Sequence, residues 1–124
     1  MILLDTSALI DYLVDGTLAV QVEDLLADRS AAGSAISVFE LLAGVTSEKH
    51  LQERRALVGL LRIIPVSTEI ADRAAELFTE LRSTGITIDN EDLIVVATAI
   101  VERQNLMTAN KRHFHRVPGL SLVE

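Results

Sequence analysis

Short apolar runs alternate with longer helical stretches along the whole chain, and this alternation restricts the fold more than any other feature. Ile2-Leu3-Leu4 ends at Asp5, and Ser34-Ala35-Ile36 follows a break at Gly33. Ile63-Ile64-Pro65-Val66, Asn105-Leu106-Met107-Thr108 and Leu120-Ser121-Leu122-Val123 complete the set. Runs this short read as buried strands, because the segments between them follow a helical period instead. Strands separated by helices form a mostly parallel sheet with helices on both faces, a three-layer α/β/α fold. Pro65 gives no N–H to a ladder, so its strand belongs at a sheet edge.

The helices carry their own punctuation. Thr6 or Ser7 suits the N-cap of a helix over Ala8 to Leu13, which Asp15-Gly16 ends. Thr17 to Arg29 is amphipathic, with Val20, Val22, Leu25 and Leu26 among acids. Ser37 followed by Glu40 matches a capping box for a helix running to Gly44. A charged helix follows from about Ser47 to Leu61. Ser67 or Thr68 caps a long helix to Arg82, with Glu69 and Asp72 in its first turn and Thr84-Gly85 after its end. Asp89-Asn90-Glu91-Asp92 opens a nearly all-apolar helix from Leu93 to Glu102, which must be buried. Asn110 to Phe114 is a short turn or helix.

Composition narrows the function classes. With 124 residues and 49% apolar content, the chain suits one domain spanning residues 1–124. No apolar run is long enough to cross a bilayer, and the start lacks a basic leader, so a cytoplasmic protein without membrane contact is the expectation. The absence of cysteine excludes thiolate metal sites. Oxygen ligands and three histidines remain, and an oxygen set favours magnesium or manganese. A net charge of −7 argues against a non-specific nucleic-acid binder, although carboxylates gathered around a cation are locally neutralised. Aromatic residues make up only 3%, so base stacking is not the main way of gripping a ligand.

In open parallel sheets, sites form beyond the C-terminal ends of the strands. Asp5 closes the first strand, Glu40 lies in the first turn after the second, and Asp89 and Asp92 open the buried helix. Thr108 and Asn110 leave the Asn105–Thr108 strand at the same edge. Four distant segments thereby present oxygen atoms to one region. Clustered carboxylates repel one another, and a divalent ion removes that cost while activating water and stabilising phosphoryl charge. The pattern points to phosphodiester hydrolysis.

Each feature also has a plainer reading. Asp5, Asp89 and Asp92 suit helix caps, and Glu40 suits the capping-box partner of Ser37. Asp92 argues for more, because it leads directly into Leu93-Ile94-Val95-Val96-Ala97, where an ionised group needs a partner. Lys111, Arg112 and His113 read either as solvated surface or as a strip for RNA phosphates. Arg54, Arg55 and Arg62 read as a solvated face. His113 and His115 lack the second ligand pair that a zinc site requires.

The motifs, taken in order, resemble a known family. Met1 to Ala8 is similar to the opening of a PIN domain, and Ser37-Val38-Phe39-Glu40-Leu41-Leu42-Ala43-Gly44 to its second motif. Asp92 to Ala99 resembles the third, Leu106 to Phe114 the fourth, and Val117-Pro118-Gly119-Leu120 the closing segment. The resemblance is to the VapC toxins of toxin–antitoxin pairs. It implies a PIN-like α/β/α fold and a magnesium- or manganese-dependent ribonuclease. Asp5, Glu40 and Asp92 would hold the metal, with Asp89 as a supporting acid and Asn110 beside them. Thr6, Ser7 and Thr108 would orient carboxylates and water. Asn110 and His113 stand where many members carry acids. The resemblance further implies an RNA substrate, often a transfer RNA, a homodimer, and a cognate VapB-like antitoxin. The amphipathic helices between Thr17 and Leu61 offer a face for an antitoxin helix. The alternatives are a PIN-like nuclease outside a toxin pair, a binding module with structural acids, and a phosphatase of another doubly wound fold.

Overall fold

The computed structural model describes all of Met1–Glu124. Four strands form one wholly parallel sheet: β1 (Ile2–Leu4), β2 (Ala31–Ser34), β3 (Arg62–Ile64) and β4 (Asn105–Met107), in the order β3-β2-β1-β4. Ile2 pairs with Ala31 on one side and Asn105 on the other. The chain winds outward from β1 to β3 and then returns to lay β4 against the other side of β1. That reversal puts the switch point between β1 and β4, where such sheets hold their ligands.

Seven helices connect the strands: α1 (Thr6–Leu13), α2 (Ala19–Ala27), α3 (Ala35–Leu42), α4 (Glu48–Gly59), α5 (Thr68–Ser83), α6 (Asn90–Val101) and α7 (Lys111–Phe114). Two cores flank the sheet. On one face Leu3, Leu106, Leu77, Leu81, Val96 and Phe114 pack together, with α5 and α6 supplying most of the cover. On the other, Leu4, Leu9, Val22, Leu26, Leu41 and Leu57 join α1 to α4. Alternation along β1 sends Leu3 to the first core and Leu4 to the second. Helix α6 is buried over Leu93 and Val95 to Ala99, as its apolar run predicts. Ser47 and Ser67 cap α4 and α5 through hydrogen bonds to His50 and Ile70 N–H groups. None of the helices is long and apolar enough to cross a membrane.

Several local expectations change. The first helix is capped by Asp5, not by Thr6 or Ser7. The second strand lies three residues earlier than its apolar signal, at Ala31–Ser34, and Ser34 caps α3 by accepting from Ile36 N–H. Ser37 is therefore inside α3, which removes the capping box and moves Glu40 to the second turn. Leu120 to Val123 forms a single bridge, Leu106 to Leu122, instead of a strand. Pro65 falls just beyond β3, which is the sheet edge. Arg54 is not simply solvated, because it donates to the Leu41 carbonyl at 2.8 Å.

Candidate metal-dependent active site

The site begins with Asp5, the first residue after β1, which is only 3% exposed. Its backbone N–H continues the β1–β4 ladder by donating to the Met107 carbonyl at 3.0 Å. Its carboxylate turns back over the start of α1, where Oδ1 accepts from Ala8 N–H at 2.8 Å and from the Ser7 hydroxyl at 2.7 Å. A buried carboxylate at a helix N-terminus is stabilised by these charge-assisted bonds and by the helix dipole. Asp5 is thus a cap as well as a site residue. Both bonds fall on Oδ1, leaving Oδ2 uncommitted. Oδ2 is not sealed either, since Gln104 Oε1 is the one sealed side-chain polar atom without a partner.

Ser7 connects the two sides of the switch point. Its oxygen accepts from Ala109 N–H at 3.0 Å and lies 3.2 Å from Thr108 Oγ1. Ser7 has one proton and gives it to Asp5, so Thr108 is the donor in the second contact. Thr108 in turn accepts from Asn110 N–H at 3.0 Å. The result is a directed chain from Asn110 N–H through Thr108 and Ser7 to Asp5. Each link polarises the next toward the carboxylate. Thr108 is 2% exposed, which protects the chain from competing water.

Glu40 arrives from α3, where Thr6 Oγ1 donates to its Oε1 at 2.6 Å. The same Thr6 oxygen lies 3.0 Å from Ser37 Oγ. Ser37 and Glu40 share a helix face because they are three residues apart. That spacing read as a capping box in the sequence, whereas it brings Ser37 to the base of the site. Glu40 Oε2 accepts no hydrogen bond.

Asp92 projects from the first turn of α6, with a side chain 32% exposed. Burial raises its carboxyl above the ordinary range, and repulsion from Asp5, Glu40 and Asp89 adds to the rise. His113 opposes it from 3.4 Å, the distance between its Nε2 and Asp92 Oδ2. The three acids therefore act electrically on one another, although they come from β1, α3 and α6. Asp89 is exposed at the N-cap position of α6 and makes no side-chain cap bond. Asn110 is exposed at the N-cap position of α7, with no capping bond from its side chain. Lys111 turns its ammonium to the Glu124 carbonyl, 3.2 Å away, and Arg112 is exposed.

Asp5, Glu40 and Asp92 each retain an oxygen without a hydrogen bond. Such a set suits a hard divalent cation. No group of three or more acidic or imidazole side chains is closed up as a metal cage in this structure. Carboxylates brought together repel one another, and a cation would screen that repulsion.

The chain is similar to proteins of one known family. The family described as "PIN domain" matches residues 2–120. The chain is 33% identical to "Ribonuclease VapC1" of Methanocaldococcus jannaschii, over 98% of this chain and 84% of that protein. It is 35% identical to "Ribonuclease VapC19" of Mycobacterium tuberculosis, over 97% of each. Among solved structures, a chain of VapBC2 from Rickettsia felis, crystallised bound to a DNA fragment from its promoter, superposes with a TM-score of 0.85. That match is 28% identical and covers 99% of this chain and 98% of the other. A toxin–antitoxin complex from Klebsiella pneumoniae gives a TM-score of 0.75 at 30% identity, covering 97% of this chain and 95% of the other.

Proposed function

The chain belongs to the PIN-domain family, and from that premise we propose that it is the endoribonuclease toxin of a VapBC-like pair, hydrolysing RNA phosphodiester bonds with a divalent metal. The observation that carries the reading is the directed hydrogen-bond chain ending on Asp5, beside two further acids that each keep an oxygen free. A purely structural acidic cap needs no such chain.

Asp5, Glu40 and Asp92 would hold magnesium or manganese. When bound, the ion lowers the pKa of a water and offsets charge on the phosphoryl oxygens. The protein's own groups do the positioning. Ser7 and Thr108 fix the Asp5 carboxylate, leaving Oδ2 toward the opening. Thr6 fixes Glu40 in the same way, with Ser37 behind it. Asp89 adds negative potential at the rim, and Asn110 offers an amide to a water or to the substrate. Lys111, Arg112 and His113 border the site on α7 and supply cationic or polar contacts to RNA phosphates. Transfer RNA is the substrate class we assign.

The partner is a VapB-like antitoxin, and the toxin itself is a homodimer. Ile10 on α1, Val14 just after it, Val20 on α2 and Phe39 on α3 are large apolar side chains left exposed. They give an amphipathic antitoxin helix a surface to cover. The deciding experiment induces the wild type and Asp92→Asn in cells and sequences RNA 5′ ends. New ends at defined sites should follow the wild type alone. Identical end profiles would remove the nuclease assignment.

A further inference from the structure

The acids gather at one end of α6, and a cationic hollow lies at the other. The 12 residues of this helix carry the chain about 18 Å, from the acidic site to Arg103. There Arg103, Gln104, Asn105, Gly119 and Ser121 line a hollow of about 260 Å³ against the end of α6. Its lining contains no acid, in a chain of net charge −7. Arg73, loosely paired with Glu76 at 3.8 Å, reaches over Gly119, with Nη2 3.8 Å from the place a Cβ there would take. Gln104 seals its Oε1 without a partner, so the end of the amide left to a ligand is the donor, Nε2. Guanidinium, amide and hydroxyl donors without a carboxylate suit phosphate oxygens.

Two arginines at this end of the sheet occupy backbone positions that suit glycine. Gly44, Gly85 and Asp15, residue types that accept a left-handed backbone, follow α3, α5 and α1. Arg29 (φ 57°) and Arg103 (φ 55°) take that conformation after α2 and α6. Their backbone bonds match. Arg29 and Arg103 N–H donate to the Leu26 and Ile100 carbonyls at 3.2 Å, and Ser30 and Gln104 N–H to the Leu25 and Ala99 carbonyls at 2.9 Å. The turn is complete without either side chain, so arginine is kept there against a conformational cost. Register sets the two at one height. Each stands two residues before a partner of Ile2, Ala31 in β2 or Asn105 in β4, so their backbones flank β1 about 10 Å apart. Arg62, at the start of β3, extends the row. All three arginines are exposed and none enters an ion pair, although Asp28 and Glu102 precede two of them.

We propose that this edge is a second contact for the substrate RNA, with backbone phosphates of an RNA seated at the acids bound by Arg103 in its hollow and by Arg29 beside it. A separation of about 18 Å equals the rise of about five nucleotides along one strand of a helix, so a folded RNA reaches both ends of α6. The inference rests on the reading of RNA as the substrate and adds a site that touches no reacting atom.

The test measures binding of purified transfer RNA to the full chain in chelator, where metal-dependent cleavage is blocked. Arg29→Gly/Arg103→Gly should bind about 10-fold more weakly, and the slope of log affinity against log salt should fall by about two. Its melting temperature should equal or exceed that of the wild type, because glycine suits the backbone, and Arg29→Asn/Arg103→Asn should behave in the same way. Arg55→Gln/Arg82→Gln, which removes equal charge from exposed positions on α4 and α5, should weaken binding less than about threefold. Equal losses in the two pairs overturn the site and leave only net charge. Unchanged RNA affinity in the glycine pair overturns it too, as does a loss that follows a lowered melting temperature in both the glycine and asparagine pairs. Inorganic phosphate should protect the wild type and the glycine pair equally against melting. Protection confined to the wild type, with equal RNA affinity, assigns the hollow to a free anion and overturns the RNA contact. Cleavage of the same RNA by the wild type with manganese is scored separately. Cleavage with unchanged affinity in the glycine pair removes the contact and keeps the nuclease, and weakened affinity without any cleavage does the reverse.

Discussion

The two sides of the site are built to different standards. On the strand side, Asp5 is buried at the end of β1 and held by Ala8 N–H and Ser7, with Thr108 and Asn110 N–H behind them. On the helix side, Asp92 and His113 are each about one-third exposed and meet at 3.4 Å, while Asp89 caps nothing with its side chain. The strand side is fixed by backbone groups before any ligand arrives. The helix side is left open, and its alignment is the part that a cation of the kind proposed would complete. Preorganisation is cheapest where the ladder already positions the backbone, and openness belongs where substrate must enter.

Breaking the fixed side has the largest effect. Asp5→Asn keeps a good N-cap and removes the charge, so the melting temperature should hold while RNA cleavage falls at least about 100-fold, more than loss of a supporting residue costs. A matching loss of stability would mean that Asp5 is a cap and little else. Ser7→Ala removes the link between Asp5 and Thr108. Cleavage should drop about 10- to 100-fold, with about 1 kcal/mol of stability lost in urea titrations.

The open side responds in the opposite sense without metal. The raised Asp92 carboxyl means that the folded state holds this proton more tightly than the unfolded chain does. Stability from this group is therefore highest below the ordinary carboxyl range. It declines as pH rises through that range to the elevated folded value. Asp92→Asn should abolish cleavage yet melt higher than the wild type at neutral pH in chelator, with the gap closing in acid. A variant less stable at neutral pH contradicts the cause assigned to the shift. The smallest effect is expected at the rim. Arg112→Ala should weaken RNA binding only a few-fold and lower the slope of log affinity against log salt by about one.

How legible each part was in the sequence follows from the kind of residue that carried it. The first strand and α6 are legible in unbroken apolar runs, and the start of α5 in a hydroxyl, Ser67 or Thr68, before a helical period. Asp5 and Asp92 stand out by position, at the ends of elements, and Glu40 by its place in the helix that follows the second strand. The second strand was misplaced because it is made of Ala31, Ala32, Gly33 and Ser34, small residues without a strand signal. At Gly33 the smallness matches tight packing: a Cβ there would lie 3.2 Å from Leu61 Cδ1, which would have to give way slightly. That shift hid the true cap at Ser34 and disguised Ser37, whose distance from Glu40 fits a capping box as well as a shared helix face. The sequence offers His113 only as solvated surface or as part of an RNA-contact strip, because its partner, Asp92, is remote in sequence and only the fold joins them.

Ser7 touches Thr108 and Ala109, and β1 gains its second neighbour only when residues 105–107 arrive. During synthesis, the carboxylate at position 5 is made roughly a hundred residues before Thr108 and Ala109, which brace it through Ser7. A nascent chain that has not yet reached β4 therefore holds Asp5 by its local cap alone.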